Sequence, residues 1–140
     1  MRWLRKERGS ATLETAIIVP GLLVLIGIII AAGRVALAHQ DASTAAADAA
    51  RSASIARSPA LAQSDAHASA TATLANTGAD CATHSVTVDT AAFHQPVGTP
   101  GTITATVTCQ VALTDLMVPM PGTMTITETM TSPLDTYRER

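Results

Sequence analysis

The chain has 140 residues, a formal net charge of −2 and 47% hydrophobic residues, yet only one Trp, one Tyr and one Phe. That length leaves room for one modest domain, and a core drawn from Ala, Thr and Val buries little area per residue. Such a fold needs a membrane, a crosslink or partner subunits. Basic residues crowd the amino end at Arg2, Arg5, Lys6 and Arg8, and acidic residues outnumber basic ones beyond Gly9. This excludes the basic face that a nucleic-acid binder requires.

The first element is a membrane segment. Residues 15–33 carry no charge and read almost wholly as Ile, Leu, Val, Gly and Ala. About 20 apolar residues cross a bilayer as a helix. The run reaches that length once Val35, Leu37 and Ala38 are counted past Arg34, whose long side chain can snorkel toward headgroups. The basic cluster before it keeps the amino end cytoplasmic and places everything after Ala38 outside. Pro20 and Gly21 fall inside the span, where a kink is tolerated.

At the start of this run stands an acid, Glu14, preceded by Gly9-Ser10-Ala11-Thr12-Leu13. A carboxylate at a bilayer centre costs roughly 2.5–3.5 kcal/mol on insertion scales, and less near an interface. Cleavage after Gly9 would give it a purpose. The α-amino group of Ser10 would become a cation able to face Glu14 of a neighbouring subunit, and a helix amino end favours a carboxylate locally. Two other readings stand beside this one. Glu14 is a solvated residue before an ordinary signal anchor, or Ala36-Leu37-Ala38 is a secretory cleavage site that leaves His39 first. The second requires a shorter apolar core, of about 7–15 residues, and has Arg34 intruding before the cut.

The basic leader, the Gly at the cut and the Glu as fifth residue after it resemble the leader of type IV prepilins. The wording RGSATLETAIIVPGLLVLIGIII resembles the TadE-like family, pseudopilins or minor pilins of the Flp/Tad tight-adherence system. The resemblance implies removal of the leader by a prepilin peptidase, with Gly9 as cut site, Ser10 as new amino terminus and Glu14 as assembly acid. It implies a structural subunit of a pilus or related secretion machine rather than an enzyme. The implied partners are the peptidase, other pilins or pseudopilins, assembly proteins and the lipid bilayer. An uncleaved single-pass anchor with a partner-binding outer domain is the alternative.

Beyond the membrane the helix is expected to continue to Arg57, because the chain is Ala-rich and free of Gly and Pro from Val35 onward. Asp48 and Arg51 form a permitted i,i+3 pair. Small residues at Ala31, Val35, Ala38, Ala42, Ala45, Ala49, Ser52 and Ala56 recur at alternating steps of four and three, a seam for close packing. The seam faces either the protein's own sheet or neighbours in a fibre. Ser58-Pro59 reads as a helix start, and residues 60–76 as a second helix closed by Gly78. Their Ser and Thr content suits a loose connector equally.

Past Gly78 the period becomes two. Val86 and Val88 alternate with polar residues, as do Ile103, Ala105, Val107, Cys109, Val111 and Leu113, and then Met124, Ile126 and Met130. Glu128 breaks the last apolar face, which predicts an edge strand or a strand end. Turns are expected at residues 96–101 and 119–122. The fold class is α+β, a long amino-terminal helix followed by a small three-stranded antiparallel sheet that the helix covers. The expected divisions are a basic cytoplasmic leader over 1–9, a transmembrane and extended helix over 10–57, and an extracytoplasmic domain over 58–140. The protein is expected in the bacterial cytoplasmic membrane, with a cell-surface pilus as a further location.

Cys81 and Cys109 are the two cysteines, and the topology places both in an oxidising compartment, which favours a disulfide over two separate buried thiols. Closing that loop contributes roughly 3–4 kcal/mol in the chain-entropy view. His39, His67, His84 and His94 are scattered, and Cys81 with His84 lacks further ligands for zinc. No catalytic triad, phosphate loop or metal box is present in the pattern, so no catalytic residues, cofactor or small-molecule substrate are expected.

Overall fold

The computed structural model describes residues 8–79, 81–96, 98–115 and 121–135, with the side chains of residues 8–13 outside the description. Helix α1 runs over Arg8–Ser54, 47 residues, and continues through Pro20. Proline removes one backbone donor and leaves the carbonyl four residues earlier without its helical partner, a loss that membrane helices tolerate. Past Arg34 the helix is held by Ala, the strongest helix former.

The chain then reverses through Ile55, Ala56 and Arg57 into α2, Pro59–Thr77. Ser58 caps it, its Oγ accepting the Leu61 N–H at 3.3 Å, and Pro59 fills a first-turn position that has no intrahelical donor to lose. Gly78 closes it at φ 70, the left-handed conformation that glycine adopts without a Cβ penalty. Residues 60–76 are therefore helical, as one of the two expected alternatives had it.

Three antiparallel strands follow: β1 Cys81–Asp89, β2 Thr102–Ala112 and β3 Thr123–Pro133, in the order β1-β2-β3. Each pairs with the strand next to it in sequence, Val86 opposite Val107 and Val107 opposite Glu128. Between β1 and β2 a 3-10 turn, Ala91–His94, drops Ala92 and Phe93 into the core. Gly101 is required beside it, because a Cβ there would lie 2.9 Å from the Ala92 Cβ. Of the second expected turn, Pro119 and Met120 lie outside the described residues, while the Gly122 carbonyl accepts from the Leu113 N–H at 3.0 Å.

The α1–α2 hairpin covers one face of the sheet, giving two layers and the expected α+β class. Ile103, Ala105, Val107, Cys109 and Val111 of β2 all point into the interface, and the intervening residues point out. The largest fully buried side chains are Ile103, Ile126, Val107 and Cys109. The helices contribute almost nothing but Ala, so the sheet lies close to their backbones and few bulky groups are buried.

Helix α1 stops at Ser54, three residues short of the expected Arg57, where the chain turns back to pack α2 beside it. The small-residue seam is buried at Ala42, Ala45 and Ala49 and half-buried at Ala31, Val35, Ala38 and Ser52, and its last member, Ala56, is buried in the reversal. Ala46, Ala50 and Ala53 are buried as well. The stripe is wider than a seven-residue seam because α1 meets two neighbours there, α2 on one flank and the sheet on the other. Glu128 lies at mid-strand on β3, an edge of the sheet, so the edge reading holds and the strand-end reading does not.

Candidate functional site

Three features of the described residues bear on function: the amino end of α1, its uncovered apolar stretch, and the junction where the helix enters the folded domain. Gly9 and Ser10 lie in the first turn of α1, and position 14 falls one turn beyond position 10. Glu14 is exposed. The rest of the expected leader, residues 1–7, lies outside the described residues.

From Ile17 to Ile30 every large apolar side chain of α1 is exposed, and no part of the most apolar window is buried inside the protein. A helix apolar on all sides is stable only when lipid or other helices surround it. By length and composition this is one candidate membrane span. Residues 15–33 rise about 28 Å at roughly 1.5 Å per residue, close to the ~30 Å hydrocarbon thickness of a bilayer.

The covered part begins directly after it. Val35 and Ala38 pack against a small cluster of Ala42, Cys109, Val111 and Ile126. Arg34 does not run free toward headgroups, because its Nη1 donates to the Asp115 backbone carbonyl at 2.7 Å. The expectation that the span extends through Val35 and Ala38 is corrected here, since protein covers much of those two side chains. On the other flank, His39 Nδ1 lies 2.7 Å from Glu128 Oε1, a ring N–H donated to a carboxylate. Farther out, Thr73 donates to the Asp48 carboxylate at 2.7 Å and ties α2 to α1. Asp48 thus turns to α2 and makes no ion pair with Arg51 among the described residues.

Cys81 and Cys109 are joined by a disulfide, with Cα atoms 5.4 Å apart and a sequence separation of 28. It links the first residue of β1, beside a register shift between Cys81 and Thr83, to the central strand. The chain leaving α2 is therefore fastened to the sheet at the end nearer the apolar stretch.

The histidines do not converge. The rings of His67 and His84 lie 6.0 Å apart between centres, tilted by 36°. Thr71 donates to the His67 carbonyl, so His84 Nε2–H donates to Thr71 Oγ1 at 3.1 Å. His94 is exposed on the 3-10 turn. Among the described residues no three His, Cys, Asp or Glu side chains gather as a metal site.

Sequence reasoning missed both polar clasps at the junction, Arg34–Asp115 and His39–Glu128. A signal for the second was available. A carboxylate on an otherwise apolar strand face needs a polar partner from whatever covers that face. His39 is one helical step from Val35 and Ala42 on the packing seam.

Residues 9–51 match the family model described as TadE-like protein, which bears out over those residues the resemblance carried by the leader and the apolar run. No curated protein and no solved structure matches the chain. The match takes in the amino turn, the whole apolar stretch and most of the buried half of α1, and residues 52–140 lie outside it.

Proposed function

We propose that this chain, a Tad pilus-associated, pilin-like protein by its TadE-like match, is a structural subunit that is cut after Gly9 and assembled through its amino-terminal helix. The observation that carries the reading is a coincidence of place. Among the described residues, the family match takes in the long stretch whose apolar side chains the protein itself leaves uncovered. A pilin-like subunit needs such a helix twice, first in lipid and then among the helices of its neighbours.

The division of labour follows. Residues 1–9 act as a cytoplasmic leader for a prepilin peptidase, with Ser10 as the new amino terminus. The helix holds the subunit in the bacterial cytoplasmic membrane with its amino end inside. The domain after it lies outside, where the Cys81–Cys109 disulfide is at home. Glu14, exposed at the membrane entrance, is placed to meet the freed amino group of a neighbour's first residue. The role is structural and involves no turnover. Secretory cleavage before His39 is disfavoured by the packing. It would strip Arg34 from Asp115 and remove Val35 and Ala38 from the Cys109 cluster.

The test is the mature amino terminus after co-expression with a prepilin peptidase, read by intact mass. A product beginning at Ser10 is expected, with Gly9→Val left uncut. Glu14→Leu should be cut and membrane-inserted yet fail to co-purify with partner pilins. An unprocessed wild-type chain, or one beginning at His39, overturns the proposal.

A further inference from the structure

Directly past the apolar stretch, a groove of about 320 Å³ opens between α1, the end of α2 and the end of β2. Its rim mixes charge and apolar surface: Arg34, Leu37 and Asp41 from α1, Thr77 from α2, Val111 from β2, and Asp115. We propose that this groove holds the headgroup of a membrane phospholipid bearing a primary ammonium beside its phosphate.

Depth supplies the first argument. If residues 15–33 fill the hydrocarbon, Arg34 emerges at headgroup level, and the groove opens where a phospholipid phosphate lies. The inference rests to this extent on α1 spanning a membrane. Charge supplies the second. Arg34 has one of its five donors engaged by the Asp115 carbonyl, and the remainder of the fork suits a phosphate. The rest of the lining is acidic. It includes Asp41, two helical turns beyond Arg34 on α1, and Asp115, neither in an ion pair among the described residues, together with the carboxyl end of α2, whose last carbonyls carry partial negative charge.

A ligand that is only anionic leaves both carboxylates facing its charge. A headgroup with a phosphate and an N–H-bearing ammonium satisfies both sides. A quaternary ammonium matches the charge but donates no hydrogen bond, so it should bind more weakly. On the hydrocarbon side of Arg34, the exposed Ile29 and Ile30 of α1 give the acyl chains an apolar surface to lie against.

The experiment uses the full chain reconstituted in nanodiscs of phosphatidylglycerol mixed with either phosphatidylethanolamine or phosphatidylcholine. Retained lipid is counted by native mass spectrometry after release. Wild type should keep one phosphatidylethanolamine, in preference to phosphatidylcholine by roughly five-fold, the effect of one charge-assisted hydrogen bond at an interface. Arg34→Gln should lower retention of both lipids several-fold. Asp41→Asn should remove only the preference between them, and Asp115→Asn provides the same reading should the first variant fail to fold. Arg57→Gln, at the far end of the domain, should change nothing.

An intact disulfide on a non-reducing gel shows that each variant has folded. Equal retention of the two lipids, no adduct, or an Arg34→Gln protein that behaves as wild type overturns the proposal. So does saturable binding of soluble glycerophosphoethanolamine by protein that retains no lipid. Alkaline extraction of the same membranes separates the two failures. An integral protein without an adduct defeats this inference alone, whereas an extractable one defeats the membrane reading as well.

Discussion

The two halves of α1 invert the usual relation between hydrophobicity and burial. Ile17 is 72% exposed and its apolar neighbours through Ile30 are similarly bare, while Ala45, Ala46 and Ala49 are 0% exposed. In water the first half would be costly and the second would gain little, because a methyl group removes little area. The difference shows that each half has a different solvent. The first is built for lipid or for other helices. The second is built so that sheet and helix backbones approach closely, with small residues as the means. A single continuous helix passes between the two environments within a turn or two, at Arg34 to Ala42.

The comparison breaks most sharply if the first half is given charge. Leu23→Arg with Ile26→Arg places two cations near the bilayer centre at roughly 2.5–3.5 kcal/mol each on insertion scales. The pair should abolish stable insertion, read as a shift of most of the protein to the soluble fraction on alkaline extraction. A comparable charge at the exposed position Arg51 is already present in the second half and is tolerated there.

Next in size is the disulfide that reinforces the thin, Ala-lined core. With the cysteines separated by 28 in sequence, Cys81→Ser with Cys109→Ser should remove about 3–4 kcal/mol. Thermal melting of the sheet signal should fall by well over 10 °C, while membrane extraction should be unchanged. Smaller again is a test of packing. Ala49→Leu adds bulk where helix meets helix and sheet, and should cost about 1–3 kcal/mol by overpacking. Leu25→Ala in the other half should leave the same melting curve untouched. If Ala49→Leu melts like wild type, the second half is less tightly packed than its burial indicates.

Much of the fold was legible because its signals are local. The alternation through Ile103, Ala105, Val107, Cys109 and Val111 marked β2, since pleating sends alternate side chains to one face whatever the partner. Ser58-Pro59 and Gly78 marked the ends of α2 because caps are chemistry within a few residues. What remained hidden depends on tertiary placement. Ala46, Ala50 and Ala53 became core only because a second helix packs beside the seam. Arg34 looked like a snorkelling residue until β2 ended beside it. The proposed leader, by contrast, rests on spacing alone, with Gly9 and Glu14 five positions apart and an uncharged run after them.

The smallest effect is expected at the boundary between the halves, in the pair His39–Glu128. Both groups keep contact with water, at 45% and 27% exposure, so their attraction is screened and each side chain retains other partners in solvent. A double-mutant cycle of His39→Ala and Glu128→Ala should return a coupling of about 0.5–1 kcal/mol, a few degrees at most in the melting of the full chain in detergent. The single change Glu128→Ala should cost little, because losing the carboxylate from a mostly apolar strand face offsets losing its hydrogen bond. His39→Ala alone should cost more than Glu128→Ala, since it leaves a half-buried carboxylate against Val107 without its donor. Zero coupling would mean that the packing of Ala42 against Cys109 and Ile126 holds the junction by itself. A coupling well above 1 kcal/mol would instead mark the pair as the latch between the lipid-facing and sheet-facing halves.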